Sequence, residues 1–272
     1  MSNFLLEAGR QTLMLELQEA SRLPERLGDD FIRAAETIIH CEGKLIVSGI
    51  GKSGHIGKKL AATFASTGTP AFFVHPAEAL HGDLGMLDSR DVMLFISYSG
   101  SAKELDLIVP RLEEKSIPLL AMTGKSTSPL ALAAKAVLDI AVEREACPMH
   151  LAPTSSTVNT LMLGDALAMA VMQARGFNEE DFARSHPAGA LGARLLNKVH
   201  HLMRRDEEVP RVNTEANVMD AMLELSRTGL GLVAVCDEAN RVQGVFTDGD
   251  LRRVFDMGVD AVSYTHLRAH ET

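Results

Sequence analysis

An α/β fold with a three-layer, doubly wound, five-stranded parallel sheet is predicted by two observations. Short apolar stretches alternate with stretches of helical periodicity along most of the 272 residues. Two of the apolar stretches run straight into loops rich in glycine and hydroxyl side chains, Ser48-Gly49-Ile50-Gly51-Lys52-Ser53-Gly54-His55 and Ser97-Tyr98-Ser99-Gly100-Ser101. Strands at such intervals with helices between them form a parallel sheet covered on both faces, and right-handed crossovers wind it. Sheets of this kind take ligands at their carboxyl edge, where the N–H groups of helix starts favour phosphate.

The elements follow in order. Leu5–Leu23 carries apolar residues at helical spacing and Asp30–His40 repeats the pattern. Lys44–Val47 reads as the first strand, with a helix over Gly54–Ser66 leaving the first glycine loop. Ala71–Val74 is the second strand, stopped by His75-Pro76, and Val92–Ile96 is the third. A helix from about Lys103 to Lys115 follows the second loop; then come strands over Ile117–Met122 and Ala136–Ile140 and a long helix over Ser156–Arg175. Beyond Arg184 the composition shifts to the small-residue stretch Pro187–Gly192. A compact unit then reads as helix Ala216–Thr228, strands Leu232–Cys236 and Val242–Phe246, and helix Asp248–Phe255. The expected organisation is a large domain over residues 1–184, a linker over 185–205 and a smaller α+β module over 206–262. Residues 263–272 (SYTHLRAHET) continue no pattern and read as a non-native tail.

Composition removes several function classes. A net charge of −9 offers no basic field for nucleic acid. No apolar run reaches the ~20 residues needed to span a bilayer, and Met1-Ser2-Asn3-Phe4 opens no signal-peptide pattern. Cys41, Cys147 and Cys236 are far apart, odd in number and outside any CxxC, which fits reduced thiols in a cytoplasmic protein.

The first loop invites nucleotide readings, and both fail. Gly49-x-Gly51-x-x-Gly54 fits the dinucleotide fingerprint, but that fingerprint wants a carboxylate at the end of the next strand. Here the second strand ends Phe72-Phe73-Val74-His75. Gly51-Lys52-Ser53 is like the end of a P-loop, yet Ile46 stands where its upstream glycine belongs. What survives is a polar turn carrying Ser48, Lys52, Ser53 and His55 beside a second hydroxyl-rich turn.

These residues resemble a known family. Ser48–His55, followed by Ala65-Ser66-Thr67-Gly68-Thr69-Pro70, is similar to the phosphosugar-binding sugar isomerase (SIS) domain, as are Ser97–Gly100 and Pro153-Thr154-Ser155-Ser156-Thr157. Phe73–Pro76, Ala79-Leu80-His81-Gly82-Asp83-Leu84-Gly85 and Ser185-His186-Pro187-x-Gly189-Ala190-Leu191-Gly192 narrow the resemblance to the D-arabinose 5-phosphate isomerases, with the glucitol-operon branch the most similar. That family adds a pair of CBS domains, and Gly244–Arg253 resembles the end of the first, with the second expected to be missing. The resemblance implies interconversion of D-ribulose 5-phosphate and D-arabinose 5-phosphate through a cis-enediol, supplying the Kdo sugar of lipopolysaccharide, without a cofactor.

An aldose–ketose isomerisation needs a base that takes and returns a proton, a donor for the carbonyl oxygen and fixed dipoles for the developing oxyanion. Lys52, His81, Glu104 and His186 are the catalytic candidates on the matching motifs. Their acid, base and ring-opening duties are not divided by the sequence. The resemblance implies that His186 reaches a neighbouring subunit's site. Ser48, Gly49, Gly51, Ser53, His75, Ser97, Ser99, Thr123, Thr154, Ser155, Ser156 and Thr157 are the substrate-binding candidates, through hydroxyl and main-chain N–H groups. The resemblance implies no required metal, although His75, His81 and His186, with Asp83, sketch an inhibitory site for zinc or copper.

Family resemblance further implies a homotetramer and a nucleotide or sugar effector at the CBS region, with Thr247 and Asp250 as contacts. Two other classes compete with the isomerase. A sugar-phosphate regulator of this fold carries a basic helix-turn-helix before its first strand, and none stands here. An isomerase for a different ketose phosphate lacks the CBS extension and the His-Gly-Asp and Ser-His-Pro motifs.

Overall fold

The computed structural model describes residues 1–186 and 199–256. The Pro187–Gly192 stretch and the expected tail over 263–272 lie outside the described residues. Two compact units, Met1–Leu196 and Asn197–Thr272, make up the chain.

The first unit is built on five parallel strands: β1 (Leu45–Gly49), β2 (Ala71–Val74), β3 (Val92–Ile96), β4 (Leu119–Thr123) and β5 (Ala136–Asp139). Their order is β2-β1-β3-β4-β5, so the chain reverses its direction of travel across the sheet between β2 and β3. All neighbours pair parallel, with Ser48 opposite Val74, Gly49 opposite Ile96, and Ile96 opposite Met122. Alternation along the buried strands sends side chains to opposite faces. Leu45, Val47, Leu94, Ile96, Leu120 and Met122 join one core. Ile46, Met93, Phe95, Leu119 and Ala121 join the other.

Helices α2 (Asp29–Ile39), α3 (Gly51–Ser66) and α7 (Ser155–Ala174) cover the first face with Ile38, Phe64, Leu163 and Leu167. Helices α4 (Pro76–Leu80), α5 (Leu105–Glu114) and α6 (Pro129–Ala133) cover the second with Ala79, Ile108, Leu112 and Leu130. Helix α1 (Ser2–Ala20) lies on α7. The three-layer, doubly wound sheet expected from the sequence is the one found.

Differences are local. β1 runs on to Gly49 and α3 starts at Gly51, so Gly51, Lys52 and Ser53 form the first turn of α3 rather than a long loop. Helices α4 and α6 were not anticipated, because each is a single short turn. Both start at proline, behind the side-chain caps His75 and Ser128. Helix α8 (Glu179–Ser185) is opened by an Asn178–Asp181 capping box.

The second unit has a three-stranded sheet ordered β6-β7-β8, formed by Arg211–Asn213, Leu232–Cys236 and Val242–Thr247. β6 pairs parallel and β8 antiparallel to β7. Helix Val218–Thr228 packs Ala221 and Leu225 on Val233, Val235 and Phe246. β6 escapes sequence patterning, being three residues of mixed polarity.

Candidate active site

Because β1, β2, β3 and β4 are parallel and in register, the segments after Gly49, Val74, Ile96 and Thr123 share one carboxyl edge. Lys52 is exposed and Ser53 half-buried in the first turn of α3. His81 is exposed at the end of α4, and Glu104 is half-buried immediately before α5. The segments that leave this edge therefore carry Lys52, His81 and Glu104 as well as the serine loop.

The hydroxyl groups sort into two kinds by what they already do. Ser48 Oγ donates to the Val74 carbonyl at 2.8 Å, tying β1 to β2. Thr123 Oγ1 donates to the Tyr98 carbonyl at 3.2 Å and accepts from the Lys125 N–H at 3.3 Å. Both act as struts. By contrast, Ser97 Oγ accepts from the Gly100 N–H at 3.2 Å and Ser99 Oγ from the Ser101 N–H at 3.4 Å. A hydroxyl that accepts keeps its own proton to donate, so Ser97 and Ser99 each retain a proton for an outside acceptor. Gly100 turns this loop with φ 64°, where a side chain would also run into Ser128 Oγ.

The start of α7 is already occupied. Glu145 Oε2 accepts from the Thr154 N–H at 2.7 Å, the Thr154 hydroxyl at 3.0 Å and the Ser156 N–H at 3.2 Å. Burial pushes the Glu145 carboxyl up, but the hydrogen bonds from Ser156 and Thr154 outweigh it and hold the group below the usual glutamate range. Thr157 Oγ1 donates back to the Thr154 carbonyl at 2.7 Å. Ser155 is fully buried, and among the described residues its hydroxyl has no partner. Three donors of the Thr154–Thr157 group thus face a built-in carboxylate. Glu145 was missed in the sequence because no motif surrounds it; the one signal was an acid close before a Thr-Ser-Ser-Thr helix start.

The histidines differ in placement. His75 caps α4, its Nδ1 accepting from the Ala77 N–H at 3.2 Å. His186 ends α8, stacked on Phe182 with ring centroids 4.1 Å apart and its Nδ1 3.1 Å from the Phe182 carbonyl. Helix α7 starts at the carboxyl edge, where Asn159 reaches the Ala141 carbonyl just after β5. Its far end is fixed at the amino edge by Arg175, which donates to the carbonyls of Gly68 and Ile38. Twenty residues carry α7 ~30 Å, whereas the seven of α8 span only ~10 Å. His186 is therefore not brought to Lys52, His81 and Glu104 within one chain. Among the described residues, no three His, Cys, Asp or Glu side chains are grouped to hold a metal ion, so the His75–His81–His186 set does not converge within the chain either.

A cavity of about 500 Å³, lined by Arg33, His40, Cys41, Arg90, Asp91 and Lys135, opens at the opposite, amino edge. Arg33 and Arg90 are paired there with Asp30 and Asp88, and Asp91 is satisfied by the N–H groups of Lys44 and Asp88. In the second unit, Asp250 Oδ2 accepts from the Thr247 N–H at 2.8 Å and the Thr247 hydroxyl at 2.7 Å, so these two residues cap each other.

Residues 38–170 match the SIS domain and residues 199–256 the CBS domain. The chain is 87% identical to the arabinose 5-phosphate isomerase GutQ of Escherichia coli strain K12 over 253 residues, 93% of this chain and 79% of that one. It is 52% identical to the arabinose 5-phosphate isomerase KdsD of Yersinia pestis over 254 residues, 93% of this chain and 77% of that one. Among solved structures, an Escherichia coli CFT073 protein in complex with arabinose 5-phosphate superposes with a TM-score of 0.66 at 37% identity, covering 69% of this chain and all of that one. With the SIS fold, the CBS region and these relatives in place, the chain belongs to the arabinose 5-phosphate isomerases, a family of aldose–ketose isomerases.

Proposed function

We propose that this chain interconverts D-ribulose 5-phosphate and D-arabinose 5-phosphate, moving a proton between C1 and C2 through a cis-enediol. The observation that carries the reading is the pairing, at one sheet edge, of Ser97 and Ser99 as free hydroxyl donors with Lys52, His81 and Glu104. The 5-phosphate sits on the Ser97–Ser101 loop. It does not sit on the start of α7, because the Glu145 carboxylate already takes those donors and would repel a dianion.

From that anchor the sugar extends its C1–C2 end toward Lys52, His81 and Glu104. A carboxylate accepts the proton from one carbon and returns it to the other, while a donor protonates the carbonyl oxygen. As the conjugate base, that donor then takes the proton from the neighbouring hydroxyl, whose oxygen becomes the new carbonyl. The ammonium of Lys52 stabilises the enediolate charge. His186 enters from a neighbouring copy, which makes assembly a condition of activity. Large exposed apolar side chains on α1 support such assembly: Phe4 is 72% exposed, Leu6 69% and Leu17 64%. A homotetramer is the state proposed, and supply of the Kdo sugar is the role.

The test is direct. Purified protein is incubated with ribulose 5-phosphate, and arabinose 5-phosphate is followed by NMR. Interconversion supports the reading; its absence in a folded, assembled protein sinks it.

A further inference from the structure

We propose that Tyr98 is a positioning residue for this reaction, fixing the phosphate loop to the loop that carries Glu145. The inference rests on the reading of Ser97–Ser101 as the phosphate anchor. Tyr98 stands between the two donor serines, yet its own polar groups are spent on neighbouring loops. Its carbonyl accepts from the Gly124 N–H at 3.0 Å and from the Thr123 hydroxyl at 3.2 Å, joining the loop to the end of β4. Its ring crosses Gly124 so closely that a Cβ there would lie 2.6 Å from a ring carbon, a passage only glycine allows. Beyond it the phenol oxygen accepts from the Val142 N–H at 3.2 Å and lies 3.4 Å from the Val142 carbonyl.

Val142 belongs to the segment that leads to Glu145. That segment is held elsewhere by Asp139 on the Ala141 N–H at 2.8 Å and by Glu19 on the Glu143 N–H at 2.9 Å. Arg26 and Asn159 both donate to the Ala141 carbonyl. Among the described residues, the Tyr98 hydroxyl is the hydrogen-bonded link from the serine loop to this segment. A phosphate anchor needs hydroxyl and N–H donors, not a phenol whose oxygen faces away into another loop. What the phenol supplies is spacing. The substrate phosphate and its reacting carbons lie at opposite ends of the sugar. A small change in loop spacing then moves C1 and C2 off the acid–base groups while the phosphate stays bound. A misplacement of that order costs ~10²-fold in rate.

The experiment uses the full chain with Tyr98→Phe, which keeps the ring over Gly124 and removes the oxygen. Steady-state kinetics with arabinose 5-phosphate are read beside inhibition by inorganic phosphate and amide exchange at Val142. The expected result is kcat lower by about tenfold or more, with KM and phosphate inhibition within about twofold and faster exchange at Val142. A kcat within about twofold of the parent overturns the proposal. So does a parallel loss of kcat and phosphate affinity, which would make Tyr98 part of the anchor itself. If Tyr98→Phe does not fold, Gly124→Ala displaces the ring and is held to the same split. A parent protein that binds phosphate without isomerising anything would instead defeat the functional reading, and Val142 exchange then still tests the link.

Discussion

Glu145 meets Thr154 twice, its Oε2 accepting both the main-chain N–H at 2.7 Å and the hydroxyl at 3.0 Å. A carboxylate thereby closes the start of the 20-residue helix α7, complementing the helix dipole and using donors that would otherwise face the cleft. The arrangement explains why the phosphate is assigned to the β3 loop.

Burial pushes the Glu145 carboxyl up in the folded chain by less than its hydrogen bonds to Ser156 and Thr154 pull it down, so it stays below its ordinary range. A group depressed in this way contributes stability that is fully present above the unfolded value of about 4.3. That contribution is lost as pH falls through the lower folded value. Glu145→Gln is expected to lower stability at pH 7 by ~1 kcal/mol, the scale of a helix-terminal carboxylate. The gap between parent and variant should start to narrow as pH falls below the unfolded value of about 4.3 and close only once the folded group is protonated. Thermal melts of both proteins from pH 7 downward check this; a gap that stays constant with pH would contradict it.

Arg175 does at the amino edge what Glu145 does at the carboxyl edge. Its guanidinium donates to the carbonyls of Gly68, Ile38 and Ile39 and to the Thr69 hydroxyl, at 2.8 to 3.3 Å. The C-terminal ends of α2 and α3 are thus satisfied by one side chain. Arg175→Met leaves those acceptors without their donor and is expected to cost about 2–4 kcal/mol in urea unfolding. Activity per folded molecule should be unchanged, since the proposed site lies at the other edge.

Legibility in the sequence followed physical range. Buried parallel strands are apolar throughout, and β2, β3 and β7 were read to the residue because glycine, proline or charge bounds each of them. Lys52, His81 and Glu104 could be named as candidates because they sit in motifs adjacent to strand ends. Glu145 could not, because its role depends on the folding back of Thr154 and Ser156 onto it. The glycine loop was read too long for a related reason. Strand pairing of Gly49 with Ile96 holds β1 to its last residue, and no local pattern reports that pairing.

Ser99 and Glu104 should separate cleanly in kinetics. Ser99 Oγ accepts from the Ser101 N–H and keeps its own proton to donate, so on the proposed reading Ser99→Ala removes a phosphate donor. It should raise KM several-fold and weaken inhibition by inorganic phosphate, with kcat nearly unchanged. Glu104→Gln keeps shape and hydrogen bonding but cannot carry a proton, so kcat should fall ~10²-fold or more at nearly constant KM. Equal effects of the two variants on kcat would show that the anchor and the proton-transfer groups are not the residues named here.

The placement of His186 at the end of α8 gives the most discriminating test of assembly. His186 and Glu104 cannot meet in one chain if α7 separates them by its ~30 Å length. His186→Ala and Glu104→Gln homo-oligomers should each be inactive. Co-expressed, the two chains place an intact Glu104 from one beside an intact His186 from the other in about a quarter of sites, if subunits mix at random. Activity should therefore return to roughly a quarter of the parent's. If His186 served its own chain, every site in the mixture would lack one group, and activity would stay at the level of the separate variants. Charged substitutions at Leu13 and Leu17 on the exposed face of α1 should abolish the recovery by preventing assembly, with sedimentation reporting the smaller species.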